Sequence, residues 1–134
     1  MSYNTHASIA GWDQAIDALL ALLSGGTIVF YDGSQPATPD IPVTTQQVLA
    51  TLHIASPAFA AASNGSAVAN AIASATAALS GTATWARAFA SGGAAVLDGA
   101  VGTSDSDFVV NSTAFIEGGT VTLTSWSVNC ASGQ

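Results

Sequence analysis

The sequence predicts a mainly β fold: an antiparallel β-sandwich of jelly-roll or immunoglobulin-like type with one N-terminal helix, built as a single domain over residues 1–134. Two observations carry that expectation. Runs rich in β-branched and aromatic residues recur at short, regular spacing, with Gly, Asp and Asn turn signals between them. Helical periodicity is confined to the start of the chain, where Trp12, Ile16, Leu19, Leu20 and Leu23 form one apolar stripe.

That stripe places the helix at about residues 11–24, with Asp13 and Asp17 near its positive end and Ser24-Gly25-Gly26 as its stop. Thr27 to Tyr31 reads as a strand closed by Asp32-Gly33. Pro36, Pro39 and Pro42 make the following segment an extended connection, because proline cannot donate to a central ladder. A strand over Gln47–Ala55 would set Val48, Ala50, Leu52 and Ile54 on one face, and Leu49, Thr51 and His53 on the other.

Between Ala58 and Leu79 alanine favours helix, but Asn64-Gly65 is a hairpin signal, and strands are expected near 58–63 and 66–78. Thr82–Ala90 reads as a strand with Trp85 and Phe89 facing the sandwich core, and Ser91-Gly92-Gly93 turns it into Ala94–Val101. A four-residue loop would set Arg87 opposite Asp98, whereas a shorter, bulged loop would set Leu97 there. Phe108–Ile116, broken near Asn111, and Thr120–Cys130 complete the strands, and the tail 131–134 is expected to be loose.

Charge bounds the function. Arg87 is the only Lys or Arg in the chain, eight carboxylates oppose it, and the formal charge is -7. Only 7% of residues are charged, against about a quarter in ordinary soluble domains. Phosphate backbones and anionic membranes are recognised by cations, so neither nucleic acid nor a membrane is an expected partner. No apolar run reaches bilayer length, and Met1-Ser2-Tyr3-Asn4 lacks the basic opening of a secretory leader, so synthesis in a cytoplasm is expected. The surface must be made of Ser, Thr, Ala, Gly and Asn. Such side chains shed water at little cost, which suits a chain packed against other subunits.

Catalytic signatures are sparse. His6 and His53 share no metal-ligand spacing, the single Cys130 has no internal partner, and no nucleophile elbow occurs. Asp105-Ser106-Asp107 reads as a hydrated turn rather than a calcium loop, since no acidic residue closes it. No catalytic residue, cofactor or metal is therefore expected. Trp12, Ile16, Leu20 and Trp126 are the candidate interface residues, with Arg87 and Asp98 as a structural pair. On that reading Leu20→Asp weakens assembly more than folding.

Gly81-Thr82-Ala83-Thr84-Trp85-Ala86-Arg87, with Val96-Leu97-Asp98-Gly99-Ala100-Val101-Gly102, resembles a family of small structural proteins of tailed bacteriophages. Ile28-Val29-Phe30-Tyr31-Asp32-Gly33 with its Pro-Ala-Thr connection, Leu49-Ala50-Thr51-Leu52, and Gly118-Gly119-Thr120-Val121-Thr122-Leu123-Thr124-Ser125 are similar too, so the likeness runs from about residue 12 onwards. The resemblance implies a β-rich virion protein, either a capsid decoration (cement) protein or a minor tail or neck component. It carries over no active-site residues. The partner it implies is a major capsid protein, or a tail or neck protein, and it implies a homo-oligomer, with a trimer favoured. The alternatives are a tail, neck or fibre-associated protein and, further off, a carbohydrate-binding or adhesin module using Trp12, Trp85 and Trp126.

Overall fold

Ser8 starts the chain's one described helix, α1 (Ile9–Ala21), by accepting a hydrogen bond from the Gly11 amide at 3.0 Å. The computed structural model describes residues 8–129, so His6, Cys130 and the tail 131–134 lie outside the described residues. The helix begins two residues before its expected start at residue 11 because its cap, not its stripe, sets the start. Its end tightens through Leu22 N–H to Leu19 C=O and Leu23 N–H to Leu20 C=O, and Gly25 takes the left-handed conformation at φ 75°.

Eleven strands follow among the described residues: β1 (Thr27–Tyr31), β2 (Val48–His53), β3 (Ser66–Val68), β4 (Ala75–Thr76), β5 (Gly81–Thr82), β6 (Trp85–Phe89), β7 (Ala95–Gly102), β8 (Phe108–Val110), β9 (Ala114–Phe115), β10 (Thr120–Val121) and β11 (Leu123–Asn129). Seven of them form one sheet in the order β2-β1-β6-β7-β8-β11-β3, and β10-β4 and β5-β9 make two small ladders. The fold is mainly β and sandwich-like, with one N-terminal helix. Its large sheet is mixed, however. β7 and β8 pair in parallel, Val101 opposite Phe108 and Gly102 opposite Val109, where an antiparallel neighbour was expected. The turn between them doubles back because Asp105 adopts φ 49° and the Asp107 carboxylate accepts the Ala100 amide at 3.0 Å.

The sheet curls upon itself. β1 and β8 are three strands apart, a flat separation of about 14 Å at ordinary strand spacing. Yet the rings of Phe30 and Phe108 meet edge-on at 6.3 Å, and Phe30 also meets Phe115 at 5.7 Å. Phe108 stacks on Trp126 at 4.9 Å. Gly99 permits the bend, since a Cβ there would lie 2.8 Å from both Asp107 and Phe108. Ile16 and Leu20 of α1, with Leu23 from the turn just past its end, join this core beside Ile28, Leu49, Leu52, Val110 and Ala67.

Several expectations about faces are corrected. In β2 a bulge opposite Phe30 and Tyr31 leaves Leu49 as the extra residue. Leu49 therefore turns inward with Ala50 and Leu52, and Val48 is exposed. In β6 it is Ala86 and Ala88 that face the main core, while Trp85, Arg87 and Phe89 look the other way. The strand expected over Thr82–Ala90 is interrupted at Ala83 and Thr84, whose amides bond to Thr113 and Tyr31 carbonyls instead. The alanine-rich stretch makes only β3, β4 and two isolated bridges. Its hairpin is real, with Asn64 at φ 53° and Gly65 at φ 77° between reciprocally bonded Ser63 and Ser66. Asp13 and Asp17, one helical turn apart, accept the Gly65 and Ala62 amides at 2.7 and 2.8 Å. They dock this hairpin onto α1, and neither lies in the first helical turn where the macrodipole acts.

Leu20 is 2% exposed within the chain's own core, so its burial belongs to folding. Leu20→Ala is expected to lower stability by about 2–5 kcal/mol, and Leu20→Asp to prevent folding of the isolated chain. Denaturant titration of the two purified variants checks this; native stability for Leu20→Asp would remove the helix from the core.

Candidate interaction surface

The outer face of the sheet is covered by a loop, residues 33–46, whose ends are tied together. The Asp32 amide donates to the Gln47 carbonyl at 3.3 Å, and the Gln47 amide donates to the Asp32 carboxylate at 2.7 Å. A loop of this length with a closed neck is an Ω-loop. The Thr84 hydroxyl donates to the Gly33 carbonyl and Trp85 Nε1 donates to the Asp32 carbonyl, fixing the loop to β6. Beneath it Tyr31 and Trp85 stack with ring centroids 4.5 Å apart.

Arg87 lies under the same loop, 3% exposed. β6 and β7 set it directly across from Asp98. Nε donates to Oδ1 at 2.6 Å and Nη2 to Oδ2 at 3.0 Å, a two-pronged pair. Nη2 also reaches the Thr38 carbonyl of the loop at 3.4 Å, and the guanidinium lies 5.3 Å from the Trp85 ring centroid. The register arises in a way the sequence left open. Three residues, Ser91 to Gly93, close the hairpin between Ala90 and Ala94, which alone would bring Leu97 opposite Arg87. A bulge at Val96 adds one residue to β7 and restores Asp98 to that position.

Hydrogen bonding to Asp98 raises the Arg87 pKa still further, against the opposing effect of burial. The guanidinium thus stays charged at every practical pH. Burial also raises the Tyr31 phenol above its ordinary value of 10.0, with Arg87 opposing and Asp98 adding to the shift.

The other expected interface residues sit elsewhere. Ile16, Leu20 and Trp126 are 5%, 2% and 2% exposed, all in the core. They are not available to a partner: the sheet buries Ile16 and Leu20 of the helical stripe, and Trp126 of β11 packs between Phe59 and Phe108. Trp12 is half-buried, with an indole N–H that has no acceptor among the described residues. Trp85 is 1% exposed, so Trp85 and Trp126 cannot serve as a sugar platform. His53 is exposed on β2, and among the described residues no group of three His, Cys, Asp or Glu is arranged to hold a metal. A cleft of about 290 Å³ runs between α1 and residues 57–61, lined by Asp17, Leu20, Ser24, Pro57, Phe59 and four alanines. No helix among the described residues is long and apolar enough to cross a membrane.

The surface does present large apolar side chains. Leu19, Leu22, Ile41, Val48, Val68, Leu79 and Ile116 are exposed. Sequence patterning missed Val48 because the β2 bulge reversed its face, and Ile116 because it stands in a turn just past β9 rather than in a strand. Comparison with family models, curated proteins and solved structures finds no match.

Removing one partner leaves a buried charge alone, so Arg87→Met or Asp98→Leu is expected to cost about 3–5 kcal/mol in denaturant titrations. The double variant should recover most of that loss; equal or greater loss would show that the pair itself stabilises the sheet. A raised phenol pKa means the folded chain holds its proton longer than the unfolded one. Stability is therefore full below pH about 10 and falls as pH rises through the folded value. Tyr31→Phe should flatten that alkaline decline, measured as melting temperature against pH.

Proposed function

We propose that this chain is a non-enzymatic structural protein of a bacteriophage virion, a capsid decoration protein that binds and stabilises neighbouring capsid subunits. The observation that carries the reading is the disposition of charge. The one guanidinium is locked inside by Asp98, which leaves an exterior of short uncharged side chains, carboxylates and scattered exposed aliphatics. Such a surface associates by shape and apolar area, and its acidic balance is compatible with DNA held on the far side of a shell. The likeness of the Gly81–Gly102 segment to small phage structural proteins supports the same assignment. The closed-symmetry habit of such proteins makes a trimer at a capsid symmetry axis the assembly to test for.

The test is a count. Purified chain is mixed with separately purified phage heads and tails, and bound copies per particle are measured by mass. On the order of hundreds of copies on heads is the expected result. About six or twelve copies, on tails or at the neck, would move the protein to the tail. Binding to neither particle would end the virion reading.

A further inference from the structure

We propose that Val48, Leu79 and Ile116 form the surface by which this chain docks onto a different protein, one offering an apolar recess with a lysine or arginine beside it. The proposal deepens the virion reading and rests on it. The three residues come from segments that the backbone ties side by side. The Leu49 carbonyl accepts the Ala78 amide at 2.7 Å and the Leu79 amide at 3.4 Å, which sets residues 48–49 against 78–79. The Ala77 amide donates to Gly119, the Gly118 amide donates to Ala77, and the Glu117 amide donates to the Ser80 hydroxyl. Residues 116–119 are thereby set against 77–80.

Exposure is high where burial would be expected. Ile116 is 70% exposed, more than any other large hydrophobic among the described residues, and Val48 and Leu79 are 42% and 41% exposed. Ile116 is also held rigidly. It opens a turn closed by the Gly119 amide on its carbonyl at 2.7 Å, with Gly118 at φ 81°. A preorganised apolar projection loses little conformational freedom on binding. Gln47, Ser80 and Glu117, the chain neighbours of Val48, Leu79 and Ile116, are exposed and polar, so the apolar side chains stand beside polar ones.

Charge selects the occupant. The ionisable residue next to Ile116 is Glu117, which is exposed. A desolvated carboxylate at an interface needs a cation opposite. A second copy of this chain has no lysine to offer, and its one arginine is 3% exposed and already held by Asp98. It would bring instead another -7 of like charge. A protein carrying Lys or Arg beside an apolar recess satisfies both halves of the patch.

The test uses the full chain with purified heads and purified tails as separate probes. Leu79→Ser with Ile116→Ser is expected to weaken binding by more than about tenfold. Melting temperature should fall only slightly in the double variant, through the partly covered Leu79, and stay unchanged in Ile116→Ala, since Ile116 is 70% exposed. Ile116→Ala, the milder variant, should shift binding in the same direction. Glu117→Gln should weaken binding less and flatten its dependence on salt. Wild-type-like binding by the double variant, while the parent chain binds, would overturn this inference alone. Binding of the parent chain to neither particle would remove the virion reading and this inference with it. Concentration-dependent self-association in sedimentation, abolished by Ile116→Ser, would assign the patch to a second copy and overturn the choice of partner.

Discussion

The outer half of this fold depends on one buried ion pair. Arg87 and Asp98 fix β6 against β7, and Arg87 also holds the Ω-loop through Thr38. Stability alone does not explain an ion pair in such a place, because a well-packed apolar pair of similar volume does as well or better. Register does explain it. The hairpin is closed by three residues, and without the Val96 bulge Leu97 would stand opposite Arg87. A slip of one residue turns every β7 side chain to the other face. Asp98 would then point into the aromatic core without a partner, and Arg87 would lie uncompensated under the loop. Both charges oppose the wrong pairing by several kcal/mol, so the pair acts as a register lock in a chain with little else to specify one.

The same strands show why size was a poor guide to the core. On β6 the large side chains cover the outer face and the alanines face inward. Ala86, Ala88 and Gly99 thin the middle of the sheet, and this is what lets it curl until Phe30 reaches Phe108. Larger residues at those positions would hold the sheet open. The aromatic filling comes instead from β1, β8 and β11, the strands that the curl brings face to face. Trp85 and Tyr31 need a cover of their own, and the proline-rich loop provides it.

Features set by local chemistry were legible in the sequence: the helical stripe, the limits of β1, and the Asn64-Gly65 turn, which requires two positive φ angles in succession. The Arg87–Asp98 pairing was legible as one of two registers. Features set by a partner strand were not. The β2 bulge leaves no mark in Val48-Leu49-Ala50, yet it exchanges the faces of Val48 and Leu49. The parallel pairing of β7 with β8 depends on a carboxylate at Asp107 reaching back to Ala100, a contact with no periodicity. Asp13 and Asp17 resembled dipole partners because their docking target lies about fifty residues away. In the interface candidates the stripe was correctly seen, but a stripe says only that something covers it. The covering turned out to be the chain's own sheet.

Sequestering the only guanidinium has a consequence for the whole exterior. A surface carrying both signs can find ion-pair partners on a copy of itself; this one has no exposed Lys or Arg to offer, since Arg87 is the only one in the chain and is buried. Contacts between copies must therefore rely on uncharged area, and any carboxylate caught in such a contact is desolvated without compensation. Contacts with a cationic protein carry no such cost and gain in encounter rate as well. The charge distribution thus biases the chain towards unlike partners over like ones. It does so by the same burial of Arg87 that sets the register of β6 and β7, so a single residue type placed once shapes both the inside of the fold and what its outside can meet.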